Sequence, residues 1–419
     1  MSKIAVENVN VITGQGDVLT DATVLIDDDT IECVETGKVE FGRDARTIID
    51  GAGQWLIPGL INCHDHLFNK GLHDLADSTP YATSVKTWRY EKFLSSPGNQ
   101  ALECAKNAMM ELRQGVTTVR ELGGPNVPDQ INPPFTNVDL RDAIDAGFPG
   151  PRIVACRLMV TMTGGHGYPA YGIREADGPG EVRSAVREQI KGGADCIKIM
   201  SSAGMADYPR EHPGINEYTV EELRVAAEET HRRERKITTH AMSDVAVRNA
   251  IEAGIDTIEH GFLMEPDTVM IMLENNVSFV PTTSVCRGVA TSGRSGLGDV
   301  MKNAFPRYQE AILKAVSEGV VVGVGTDSRY MMIEEMESLV QMGMSPMDVI
   351  TSATSAAAAV CGLQGLGAVA RGHIADLVLL GDDPTKNIRK AFKDVRFVMR
   401  SGKVMASSMQ QLSAELQIS

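Results

Sequence analysis

The sequence predicts an α/β protein: a (β/α)8 barrel of TIM type that carries a small β-sandwich-like module built from both chain ends. Two observations carry this reading. The first is a unit that recurs through the middle of the chain, in which a helical stretch ends in Gly, a short apolar strand follows, and a polar or glycine-rich loop comes next. It is seen in Arg113-Gln-Gly-Val-Thr-Thr-Val-Arg, Lys191-Gly-Gly-Ala-Asp-Cys-Ile-Lys-Ile, Glu252-Ala-Gly-Ile-Asp-Thr-Ile-Glu-His and Ser317-Glu-Gly-Val-Val-Val-Gly-Val-Gly-Thr-Asp. Gly closes each helix because it enters the left-handed cap conformation cheaply. The second is that the strands are largely apolar rather than alternating, as parallel strands covered on both faces are. Counting 56–63, 116–120, 152–160, 195–200, 236–239, 256–259, 278–281 and 320–326 gives eight, which closes naturally into a barrel. A doubly wound open sheet is the rival, and it ranks lower because no glycine-rich phosphate loop follows the first strand.

The two ends have another texture. Residues 3–49 run in short alternating stretches such as Val18-Leu-Thr-Asp-Ala-Thr-Val-Leu-Ile, broken by Gly and Asp turns. The pattern returns in Ala375-Asp-Leu-Val-Leu-Leu and Val395-Arg-Phe-Val-Met-Arg-Ser-Gly-Lys-Val. Residues 1–55 and 366–419 are therefore expected to form one β-rich module beside a barrel domain of 56–365, with 407–419 a short helix or a polar tail.

Composition narrows the function. With 43% hydrophobic residues in 419 the chain can bury a large core. A formal charge of −15 argues against nucleic acid, because phosphate contacts need clustered Lys and Arg. The first residues lack the basic head and apolar run of a signal peptide, and no run of about 18 apolar residues could span a bilayer. A soluble, cytoplasmic protein with no membrane partner is expected. Seven scattered cysteines fit neither a disulfide framework nor a zinc ribbon.

In such a barrel the chemistry sits at the carboxyl ends of the strands. The stretch Leu56-Ile-Pro-Gly-Leu-Ile-Asn-Cys-His-Asp-His ends the first strand in two histidines. Strand alternation puts His64 and His66 on one face, with Cys63 and Asp65 on the other, and two imidazoles on one face suit a divalent metal. Taken alone, such a pair is more often hydrogen-bonded core or surface. The other endings agree, however: Lys198 closes strand four, His240 strand five, His260 strand six and Asp327 strand eight, while His166 follows strand three. The remaining histidines, His73, His212, His231 and His373, fall in loops or helices.

With these residues the chain resembles the amidohydrolase superfamily: His64-Asp65-His66, Lys198 in Ile-Lys-Ile, His240, His260 in Ile-Glu-His-Gly, Asp327 in Gly-Thr-Asp, and the terminal Gly372-His-Ile-Ala-Asp-Leu-Val-Leu-Leu. Within it the chain is similar to the metal-dependent dipeptidases and prolidases related to imidazolonepropionase, through Thr163-Gly-Gly-His-Gly, Tyr218-Thr-Val-Glu-Glu-Leu and Asp256-Thr-Ile-Glu-His-Gly. The resemblance implies two divalent metal ions, zinc by default. His64, His66 and Asp327 would hold one, His240 and His260 the other, and Lys198 would bridge them as a carbamate (N6-carboxylysine), since a protonated amine cannot ligate. The plainer role for Lys198 is a salt bridge to Asp195 or to a substrate carboxylate. The resemblance further implies that a metal-bridged hydroxide attacks an amide carbonyl while Asp327 accepts the proton and returns it to the leaving amine. Asp327 as a ligand alone is the alternative.

For the substrate, His166 is expected to donate to the scissile carbonyl or its oxyanion. Tyr218 is placed evenly between binding a substrate carboxylate and packing ahead of a helix over 219–234, capped by Thr219 with Glu222. Arg287 and Arg329, after strands seven and eight, could meet a carboxylate, and a Gly, Ser and Thr-rich loop over 284–298 is expected to shape the pocket. One departure stands out: two residues beyond His240, where many relatives carry a second histidine, this chain has Met242. The expected activity is hydrolysis of dipeptides, Xaa-Pro or another small apolar carboxyl-terminal residue, and of N-acyl amino acids. The alternatives are opening of a cyclic amide, as in imidazolonepropionase, hydrolysis of another small amide, or a non-catalytic metal-binding barrel. Homo-oligomerisation is left open.

Overall fold

The computed structural model describes residues 3–37, 45–68, 96–124, 136–167, 172–205, 211–291, 297–328 and 331–409. Both chain ends enter one seven-stranded sheet. Its strands are β1 (Lys3–Ile12), β2 (Val18–Asp27), β3 (Thr30–Thr36), β4 (Ala45–Pro58), β14 (Leu377–Leu380), β15 (Val395–Arg400) and β16 (Lys403–Ser407). They pair in the order β16-β15-β14-β4-β1-β2-β3 over a core that includes Val6, Val24, Leu56, Leu377 and Phe397. Residues 410–419, most of the expected tail, lie outside the described residues.

The middle of the chain supplies two parallel sheets. One holds β5 (Leu60–Asp65), β6 (Val116–Glu121) and β7 (Arg152–Ala155). The other holds β8 (Met159–Thr161), β9 (Ile173–Glu175), β10 (Cys196–Met200), β11 (Lys236–Ser243), β12 (Thr257–Leu263) and β13 (Ser278–Val280), in the order β13-β12-β11-β10-β8-β9. Helices connect many of these strands. The repeating unit keeps its stop signal: Gly115, Gly193, Gly254 and Gly319 all take positive φ, between 86° and 94°. The helix before β11 is Val220–His231, with Thr219 as its cap and Glu222 completing the capping box.

Four expectations need correction. The first parallel strand starts at Leu60, because Leu56–Pro58 pairs with Leu377–Leu379 and belongs to the seven-stranded sheet. The chain changes sheets at Gly59, where a Cβ would lie 2.2 Å from the Thr117 hydroxyl. The third strand is broken: Arg157 takes a φ of 66° between β7 and β8, so β7 pairs with β6 while β8 pairs with β10. Segment 320–326 is not a regular strand, yet it bonds on both sides. Cys63 donates to Val324 O and Thr326 to His64 O, each at 2.8 Å, and Val322 bridges Phe279 of β13. Finally, much of 284–298 is helical, in Thr283–Thr291 and the start of Leu297–Glu318. Among the described residues no helix is long and apolar enough to cross a membrane.

Candidate metal centre

The carboxyl ends of the parallel strands surround one cavity with about 630 Å³ of empty space, part of it open to solvent. His64, His66 and Asp327 line it from one side of the strand order. Lys198, His240 and His260 line it from β10, β11 and β12, and His166 joins them from the loop after β8. All six expected ligands and His166 thus reach the same space.

The first corner is tight. His64 Nε2 lies 3.3 Å from His66 Nε2, and Asp327 Oδ1 lies 3.3 Å from the former and 3.0 Å from the latter. Three donor atoms converging this closely, two nitrogens and a carboxylate oxygen, form the donor set a divalent cation takes. Position is imposed by backbone. Thr326 and Asp327 both donate their N–H to His64 O at 2.8 Å, and the Asn62 carboxamide accepts from His64 N and Thr326 N at 3.2 Å each. Asp327 itself sits at φ 52°, a left-handed conformation that a non-glycine residue keeps only where its surroundings enforce it.

Beneath this corner lies a buried ionic group that strand reasoning missed. Glu259 Oε2 lies 2.8 Å from His64 Nδ1, fixing the ring so that Nε2 faces the cavity. The same carboxylate accepts from Arg120 Nη2 at 2.6 Å and from the Thr238 hydroxyl, and Arg120 Nε donates to Cys63 O at 2.6 Å. Burial alone would raise the Glu259 carboxyl, but the charges of Arg120 and His64 outweigh it and hold the group well below the usual range. Alternation would turn Glu259 away from a site that holds His260. The two neighbours both reach inward because His260 takes a φ of 72°.

The rings of His240 and His260 in the second corner are held by neutral contacts. His260 Nδ1 lies 2.7 Å from Thr282 Oγ1, and His240 Nε2 lies 3.4 Å from Ala203 O. The rings of His240 and His260 meet edge-on at 4.6 Å, and His166 stacks on His240 at 4.1 Å. His166 is anchored by its N–H to Glu217 at 2.7 Å and by Nδ1 to Glu211 at 3.1 Å. Its ring fits because residue 204 is Gly: a Cβ there would come within 2.1 Å of the imidazole.

Burial tunes these groups as ligation needs. It pushes the His66 imidazole down to about 4 and holds His240 and His260 well below their ordinary value, so all three rings are uncharged at neutral pH. Burial likewise lowers the Lys198 amine, favouring the unprotonated form. Burial raises Asp327, but its bonds to His64 and His66 prevail and keep it ionised. The plainer partner for Lys198 is taken, since Asp195 pairs with Arg141 at 2.7 Å and accepts from Ala155 N.

Among the described residues, the structure does not bring Tyr218 or Arg287 to the cavity. Tyr218 is buried and donates its hydroxyl to Ala176 O at 2.7 Å, ahead of the capped helix. Arg287 reaches from its helix to Gln341 on the helix Met332–Met342. Arg329 lies outside the described residues.

The chain belongs to the amidohydrolase family, whose model matches residues 55–405. Among individual proteins it is similar to ochratoxinase of Aspergillus niger, 28% identical over 388 residues, which cover 83% of this chain and 75% of the relative. Solved structures similar to it include a Xaa-Pro dipeptidase with methionine bound in its active site, 26% identical with a TM-score of 0.82, covering 96% of this chain and 99% of that one. A prolidase complexed with N-methylphosphonate-L-proline is 25% identical with a TM-score of 0.81, covering 97% and 100%.

Proposed function

We propose that this protein is a binuclear metal-dependent amide hydrolase acting on dipeptides with a small apolar carboxyl-terminal residue such as proline, and on N-acyl amino acids. The observation that carries the reading is the convergence of His64, His66, Lys198, His240, His260 and Asp327 on one cavity. In this reading His64, His66 and Asp327 would hold one cation and His240 and His260 a second, with Lys198 as a further ligand, and the parallel strands would close as a barrel around the site. Divalent metals bound there, zinc by default, would supply the Lewis acidity that makes water a nucleophile at neutral pH and polarises a carbonyl.

The residues divide the rest of the work. The unprotonated Lys198 amine adds carbon dioxide to become a carbamate, losing its proton to solvent and gaining two oxygens that can bridge. Glu259 keeps His64 in one tautomer. His166 donates a hydrogen bond to the carbonyl oxygen as negative charge builds there. Asp327 takes the proton of the attacking water and gives it to the leaving nitrogen as the C–N bond breaks, yielding a carboxylate and an amine. Purified protein assayed against dipeptides, N-acyl amino acids and cyclic amides tests this directly. Turnover restricted to cyclic amides would move the reading to ring opening, and none across the three sets would end it.

A further inference from the structure

Beyond the metal-type donors and His166, every described residue lining the cavity is Met, Val or Cys. Four of thirteen lining residues are methionine, in a chain where methionine is 21 of 419. They are not scattered. Met159 comes from β8, Met200 from β10 and Met242 from β11, three strands adjacent in the sheet, and Met205 follows β10 just past Gly204. Val285 and Cys286 add to the apolar lining from the helix Thr283–Thr291. Met159, Met200 and Met242 are almost wholly buried, and Met205 is half-buried.

Such a lining offers no charge to a polar substituent. Thioether side chains are unbranched, adaptable in shape, and make favourable contacts with aromatic rings. Met242 places a thioether on this wall two residues beyond His240, on the same strand.

We infer that the substrate carries a bulky apolar group, aromatic above all, on one side of the scissile amide, and that Met159, Met200, Met205 and Met242 select it by contact along one wall. This deepens the amide-hydrolase reading and rests on it for the position of the reacting bond. The wall itself is a binding surface, so it can be tested without turnover.

The experiment uses metal-loaded full-length protein and sulfonamides, which place SO2 where the amide carbonyl would be and are not cleaved. Calorimetry compares N-(phenylsulfonyl)-L-alanine with N-(methylsulfonyl)-L-alanine, and N-(methylsulfonyl)-L-phenylalanine with N-(methylsulfonyl)-L-alanine. The aryl member of at least one pair should bind tighter by about tenfold or more, since a single methylene in an apolar pocket already gives roughly that discrimination, and a preference in the phenylalanine pair would replace the small carboxyl-terminal residue of the proposed function by an aromatic one. Met242→His and Met205→Ser should each narrow the gap while metal content stays unchanged. If Met242→His fails to fold, Met205→Ser, at a half-buried position, decides alone. No aryl preference in either pair, or a gap that survives substitution in folded protein, overturns the inference. The matching amides are assayed in parallel: aryl-selective binding without turnover would sink the hydrolase reading and leave the apolar wall standing.

Discussion

The two corners of the cavity are built from different materials. His64, which His66 and Asp327 both approach at 3.3 Å, rests on a buried charge network, with Glu259 and Arg120 each at most 1% exposed in their side chains and joined at 2.6 Å. His240 and His260 rest on a hydroxyl, a carbonyl at 3.4 Å and the face of His166. A charge-assisted brace fixes a ring more firmly than a neutral one. The first corner is therefore set before any ligand arrives, whereas the second, which carries His166, can adjust with the substrate.

Substitutions separate the two. Asp327→Asn keeps an oxygen donor but removes the ionised carboxylate that the proposed reaction uses as proton acceptor, and kcat should fall by about 10²–10⁴ with metal content restored; retained turnover would leave Asp327 as a ligand only. Arg120→Met should lower unfolding free energy by roughly 3–5 kcal/mol in denaturant titration, because the buried Glu259 carboxylate loses its guanidinium counter-charge. Glu259→Gln should weaken binding of the tighter metal by about 10–100-fold, read by competition with a chromophoric chelator. Thr282→Val, which removes the partner of His260, should cost less than about tenfold at the second corner. Equal losses for these two variants would erase the contrast.

Acid gives a further handle, measured on chelated protein. The imidazole of His66 is depressed in the fold to about 4 from an ordinary 6.5, so between those values the unfolded chain binds the extra proton. Its contribution is complete above about pH 6.5 and is lost as pH falls toward 4, with His240 and His260 acting in the same sense. Stability should drop by a few kcal/mol across that window, and a flat profile would show that these rings are not held neutral.

Much of the site was legible because most of its residues lie in or just past short, largely apolar segments, and parallel strands present such positions to one rim. His64 and His66 could be read as a pair from the two-residue period alone. What escaped reading depends on contacts distant in sequence. The segment Thr283–Thr291, rich in Thr, Ser, Gly and Val, is a poor helix former by local preference. It is helical where the Glu335 carboxylate, more than fifty residues on, accepts from Thr283 N at 2.7 Å and Ser284 N at 2.6 Å. Glu259 was hidden by the alternation rule, which fails at left-handed His260. The break in the third strand turns on one left-handed residue, Arg157, that no periodicity marks.

Metal content addresses the central claim most directly, that one cavity holds two cations joined through Lys198. After zinc loading and desalting, the wild-type protein should retain about two metals per chain, with a carbon dioxide adduct on Lys198 in native mass spectrometry, and Lys198→Ala should retain one or none. Full occupancy in Lys198→Ala, or an empty wild-type protein after supplementation, would contradict it.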